Sequence, residues 1–229
     1  MECSAPEQKG EEMPPKARIS KEKIVEASFE LVRAKGHEAL SARSVARQLG
    51  CSTQPILYYF HSMDEILRAT YHMADDYHTA FILPEPSAPN APNTANPLLQ
   101  MGLSYVRFAH DEPHLFRFLF QTNQFGGMNA KGLVANPELG PILAVLCQAL
   151  GCSEQEGTEL FLTFFYVVHG MASLLANNVM DYDAEQTARL LTGVFDGVVA
   201  ARASIQNIAY ERGDQNERPN ERPATPFKV

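Results

Sequence analysis

Three short polar side chains in a row, Ser52, Thr53 and Gln54, followed at once by Pro55, are the most instructive chemistry-bearing residues of this chain. Hydroxyl and amide groups of this kind pair with base edges and phosphates, provided a rigid element presents them. The ionisable residues form weaker groups. His110 and His114 have the spacing of a metal pair, but Asp111 and Pro113 put a helix start between them, so the two rings need not share a face. His72, Asp75, Asp76 and His78 read as the polar face of an exposed helix. No phosphate loop of the GxxxxGK[ST] kind, no GxSxG elbow and no HExxH pair occurs. We therefore expect no enzyme, no metal and no cofactor.

The polar trio needs a scaffold, and the residues from Ser41 to Phe60 predict one: two short helices around a turn. Val45, Ala46 and Leu49 fall on one helical face, with Ser41 as N-cap. Gly50 ends this first helix, Cys51 plugs the corner, and Ser52 can cap a second helix running to Phe60. Pro55 falls in the first turn, where an amide has no intrahelical acceptor and the missing N–H removes no helical bond. The second helix thus begins polar and continues with bulky apolar side chains that pack on a domain. Such polarity suits a recognition helix entering the major groove. An ordinary helical hairpin inside a larger bundle has the same pattern.

The flanks extend the scaffold. Residues Ser20 to Gly36 predict an amphipathic helix, with Ile24, Ala27, Ser28 and Leu31 on one stripe beside Val25, Phe29 and Val32, able to cover the two short helices. Ser62 and Glu65 form a capping box for a fourth helix from Met63 to Phe81. This order of helix, Gly, Ser-x-Arg-x-Val-Ala, Leu-Gly-Cys-Ser, aromatic-rich turn and Asp-Glu-Ile-Leu, from Ile19 to Leu67, resembles the DNA-binding domain of the TetR family of bacterial transcriptional regulators. The resemblance implies that Thr53 and Gln54 face base edges and that Ser41, Arg43 and Tyr59 lie near phosphates. Ser52, Pro55 and Tyr58 complete the implied DNA-binding set. Two positions depart from the family pattern: Leu57 stands where a Tyr is common, with the aromatic displaced to Tyr58, and Met63 stands where a phosphate-binding Lys often opens the fourth helix.

Charge is distributed to match. The chain carries a formal net charge of −8, yet Lys16 to Thr70 holds nine basic residues against six acidic ones, a net of +3, which leaves −11 for the remainder. A basic head on an acidic body is the footprint of a double-stranded DNA partner, although a solvated helix face with excess lysine has the same sign. With 229 residues, 45% of them hydrophobic, there is material for a substantial core. We read an all-α fold: a mobile arm over 1–18, in which Lys16 and Arg18 could reach phosphate, a helix-turn-helix domain over 19–67, a larger helical ligand-binding and dimerisation domain over 68–210, and a disordered tail over 211–229. No charged-then-apolar leader opens the chain. The apolar run from Phe161 to Ala176 is interrupted by Thr163, His169 and Gly170 and falls short of a membrane span. A cytoplasmic protein without a membrane partner is the expectation.

In the second half, the five prolines of Leu83 to Pro97 predict a loop, which can border an opening to the interior. Helices follow from Asn96 to His110, from Asp111 as a cap with Pro113 in the first turn, from Asn136 to Gly151, from the Ser153/Glu156 capping box to Met180, and from Asp183 to Ile208. The aromatics Phe108, Phe116, Phe118 and Phe120 exceed what one helix pair needs for closure. They read either as a chamber for a small-molecule effector or as core packing. Gly193, Gly197, Ala200, Ala201 and Ser204 make a stripe of small side chains, admitting either a second copy, as in a homodimer, or a neighbour within the subunit. Cys147 and Cys152, with Cys3 and Cys51, show no metal or scaffold spacing, and a redox pair at Gly151 is open beside plain buried thiols.

EPHLFRFLF and FFYVVHGMASLL resemble a TetR-family ligand domain marked by an aromatic before His-Gly, with Phe165 or Tyr166 in place of the usual Trp. That resemblance puts His169 and Gly170 mid-helix near the interior, where the His donates to a ligand or satisfies a core acceptor. The candidate effector residues are Tyr105, Phe108, Phe116, Phe120, Phe165 and His169. The function implied is a sequence-specific repressor released from a palindromic operator by a ligand; the alternative is a helical small-molecule carrier with a structural hairpin.

Overall fold

The computed structural model describes residues 19–83, 96–122 and 139–216, with side chains up to Ala201. The expected arm over 1–18 lies outside the described residues, as do residues 84–95 of the proline-rich connection and the side chain of Ser204. The described residues are helical, with no strand among them. They form two compact units that divide between Met73 and Ala74, inside one helix.

The first unit holds α1 (Lys21–Lys35), a 3-10 turn (His37–Ala39), α2 (Ala42–Leu49), α3 (Thr53–Tyr59) and the start of α4 (Met63–Ile82). Each boundary has a local cause. The Ser20 hydroxyl accepts from the Lys23 amide at the head of α1. Gly50 ends α2 in the left-handed region at φ 64°, a conformation that costs a residue with a Cβ, and the Cys51 amide folds back to the Ala46 carbonyl at 3.0 Å. At the head of α4 the Glu65 amide donates to the Ser62 hydroxyl, but the Glu65 carboxylate reaches the His61 amide rather than that of Ser62, one residue beyond the expected capping box. Ile24, Ala27 and Leu31 of α1 meet Val45 and Ala46 of α2, Ile56 and Phe60 around α3, and Ile66 of α4 in one apolar core. The buried Ser28 on that stripe costs little, because its hydroxyl donates to the Ile24 carbonyl at 2.7 Å.

The second unit takes the rest of α4, then α5 (Pro97–Asp111), α6 (Pro113–Phe120), α7 (Leu139–Leu150), α8 (Glu154–Ala176) and α9 (Ala184–Asn216). Asn96 caps α5, accepting from the Leu98 and Leu99 amides, and Ser153 and Glu156 close the expected box on α8. α5 lies along α8, and Gly102 is the reason they can approach: a Cβ there would stand 2.8 Å from Phe164 Cε1. Three expectations need correction. The cap of α6 is Glu112, not Asp111, because Asp111 is still helical in α5 and pairs with Arg107 and His110. α8 stops at Ala176 rather than Met180, where Asn178 turns to positive φ and the Val179 amide folds back to Leu174. α9 continues to Asn216, past the point where the tail was expected to begin.

By length and composition alone α8 is long and apolar enough to cross a membrane, where the sequence reading has the run fall short, but the core helix of a globular domain passes the same test. Its apolarity has another use. Leu160, Phe161, Phe164, Val168 and Ala172 are buried on one side, while Tyr166, Val167 and Leu174 form an exposed apolar side opposite.

Candidate nucleic-acid interface and effector cavity

In the first unit, the core holds α3 by two buried side chains, Ile56 within the helix and Phe60 at its C-cap, which stand four residues apart. The rest of this seven-residue helix faces out. Gln54 is exposed and Thr53 half-buried, so the polar end is presented as expected. Ser52 occupies the N-cap position but makes no side-chain capping bond, which corrects its expected role and leaves that hydroxyl out of the helix's own bonding. The bulky end was expected to pack inward, and only part of it does: Leu57 is 54% and Tyr58 77% exposed. Tyr59 is partly exposed, its ring edge-on to Tyr58 and its hydroxyl donating to the Ile19 carbonyl at 3.3 Å.

α2 adds polar groups to this unit. Arg43 and Arg47 are exposed. Ser41 caps α2 in a reciprocal box with Ser44: the Ser44 amide donates to Ser41 Oγ at 3.1 Å and the Ser41 amide to Ser44 Oγ at 2.8 Å. Ser41→Ala should therefore lower the unfolding free energy by about 1 kcal/mol. Ser41→Asp, which keeps an acceptor at the cap, should restore it in urea titrations.

In the second unit, a cavity of about 100 Å³ opens among α4, α5, α7 and α8. Of the six expected effector residues, the structure brings Tyr105 and Phe165 to its wall. Phe108 and Phe116 are instead fully buried core residues, and Phe120 and His169 stand behind Tyr105 in ring contact with it. The Tyr105 hydroxyl and His169 Nδ1 share a hydrogen bond of 2.9 Å, which answers the question about His169: its partner is within the protein. Burial lowers the His169 pKa and raises that of the Tyr105 phenol, so both are neutral near pH 7.

α4 supplies what sequence reasoning missed. Asp75, His78 and Thr79 line the cavity, and His78 is only 5% exposed, not on a solvated face. Its ring lies edge-on to Tyr105, Phe108 and Phe120 at centroid distances of 5.4, 4.8 and 5.0 Å, and its Nε2 is buried with no hydrogen-bond partner. Burial pulls its pKa down to about 3. The signal was a four-residue stripe: Ile66, Thr70, Ala74 and His78 are all buried. The suspected metal pair is spent otherwise, His110 stacking on Tyr182 at 4.5 Å and His114 accepting from Arg117 at 2.8 Å.

Both units match known proteins. Residues 24–70 match the family model for bacterial regulatory proteins of the tetR family, and residues 98–203 match the tetracyclin repressor-like C-terminal domain. An uncharacterized HTH-type transcriptional regulator of Mycobacterium tuberculosis is 27% identical over 167 residues, 72% of this chain and 74% of that protein. The fold is similar to a tetR-family regulator from Streptomyces coelicolor, with a TM-score of 0.59 at 16% identity over 88% of this chain and 90% of that one. It is also similar to a TetR from Acinetobacter baumannii AYE in complex with minocycline, with a TM-score of 0.51 at 16% identity over 82% of this chain and 98% of that one. Helix-turn-helix head, helical second unit and matches on both lead to one conclusion: the chain belongs to the TetR family and is a DNA-binding transcriptional regulator.

Proposed function

We propose that the protein acts in the cytoplasm as a homodimeric repressor that sets one α3 into each of two major grooves of a palindromic operator and leaves it when a small molecule enters the second unit. The observation that carries this reading is the exposed polar end of α3, Gln54 with Ser52 and Thr53, on a helix anchored from behind by Ile56 and Phe60. In this reading Thr53 and Gln54 contact bases, and Ser41, Arg43, Ser52, Pro55, Tyr58 and Tyr59 contact or approach the backbone. Half-sites stand about 34–36 Å apart or at a multiple of that spacing. The minocycline-bound TetR supports an effector in the second unit, as does the cavity in this one. Such an effector must bind one dimer geometry better than the other, with a coupling of about 1–3 kcal/mol.

Gel retardation of a duplex carrying the promoter upstream of the protein's own coding region tests the DNA half. Sequence-specific binding is expected, and Gln54→Ala should weaken it by about 1–3 kcal/mol per half-site while sparing non-specific affinity. Binding that ignores both sequence and mutation would instead fit the helical carrier.

A further inference from the structure

We propose that His78 is the polar anchor of the cavity and selects an uncharged, mainly apolar molecule bearing one hydroxyl group. The inference rests on the effector reading of this cavity and names the chemistry of its ligand. Most of the wall is apolar, with Leu98, Phe161, Phe164 and Val168 among its residues. Its polar groups are few, and they are unequal. The Tyr105 hydroxyl is already bonded to His169, whereas His78 Nε2 has no partner although it is buried. A buried polar atom without a partner is costly, and a ligand that supplies the missing bond recovers that cost on binding. A hydroxyl suits both imidazole tautomers, since it donates to a bare Nε2 and accepts from a protonated one. The imidazole, with burial holding it neutral, gives an anion no counter-charge. The edge-on rings of Tyr105, Phe108 and Phe120 fix the imidazole, so the anchor has a set direction.

The test compares 4-ethylphenol with 4-ethyltoluene, which has a methyl in place of the hydroxyl, and with 4-ethylbenzoate, by calorimetry on the full-length protein at pH 7.5. The phenol should bind about threefold to tenfold more tightly than the toluene, the range expected of one added hydrogen bond, and the benzoate should bind most weakly. His78→Phe should bring phenol and toluene to equal affinity. In the unmodified protein, the phenol but not the toluene should move the His78 imidazole ¹⁵N resonance, a readout that does not depend on how a variant folds. Equal binding of phenol and toluene, or discrimination that persists in a folded His78→Phe protein, overturns the anchor while leaving the cavity as an effector site. Binding of none of the three overturns the effector reading of the cavity and the anchor with it.

Discussion

Gly197→Arg should turn the proposed dimer into a monomer and cut operator affinity by about a thousandfold or more. The interior of the subunit gives no reason for glycine at this position or at Gly193. A Cβ built on either meets nothing within 4 Å among the described residues, which leaves room for a neighbour from a second copy. Glycine inside a helix costs about 1 kcal/mol relative to Ala, and Arg is among the good helix formers, so the substitution should leave the monomer at least as stable. The same two helices expose apolar side chains for which a monomer has no use: Tyr166, Val167 and Leu174 on α8, with Val179 beyond it, and Leu190 on α9. A second copy laid against α8 and α9 would cover these side chains, and a long charged one at position 197 would stand in its way.

The size of the effect follows from valency. A dimer engages two half-sites at once, with specific dissociation constants of about 10⁻⁸–10⁻¹¹ M, while a lone head falls toward the non-specific range of about 10⁻⁴–10⁻⁶ M. Sedimentation equilibrium and a gel-retardation titration on the same preparation check the two halves together. A Gly197→Arg protein that stays dimeric and binds its operator would move the interface away from these helices.

Legibility differed sharply between local and tertiary features. Helix ends were readable because a cap needs only neighbours within one turn: the Ser153/Glu156 box, Gly50 and the Ser41 cap stand where the sequence put them. At the head of α6 the expected cap, Asp111, instead stays in α5, where Arg107 stands one turn earlier to pair with it. The cavity was harder. Aromatic content pointed to Phe108 and Phe116, but which ring lines a space and which lies behind it depends on what the opposite helix places there, and both of these rings are fully buried. His78 was hidden by its acidic neighbours Asp75 and Asp76, which suggest a wet face; the buried stripe through Thr70 and Ala74 outweighs them. On the DNA head, the sequence placed the polar end of α3 correctly and overburied the rest, since two turns of helix resting on two buried side chains must leave Leu57 and Tyr58 outside.

Acid should destabilise the protein through His78, and His78→Phe should remove that part of the loss. In the folded chain burial lowers the imidazole pKa from 6.5 to about 3, because the charged form would lose its hydration among aromatic rings. The unfolded chain titrates at the ordinary value. Between these two values the unfolded state therefore binds one proton that the folded state does not, and stability falls as pH falls. The full contribution is present above pH 6.5 and drains by about 1.4 kcal/mol per pH unit below it, reaching roughly 5 kcal/mol near pH 3. Asp75 lines the same cavity, and burial is the cause of the His78 shift. His169, lowered by its own partial burial, works in the same direction and stays in the variant, so only the difference between the two proteins isolates His78. Urea denaturation of both at pH 7, 6, 5 and 4 measures that difference. The variant should gain on the unmodified protein by more than about 2 kcal/mol between pH 7 and pH 4, whatever its stability at pH 7. Parallel curves would mean that the folded chain protonates this imidazole as readily as the unfolded one, and that the ring is not held away from water.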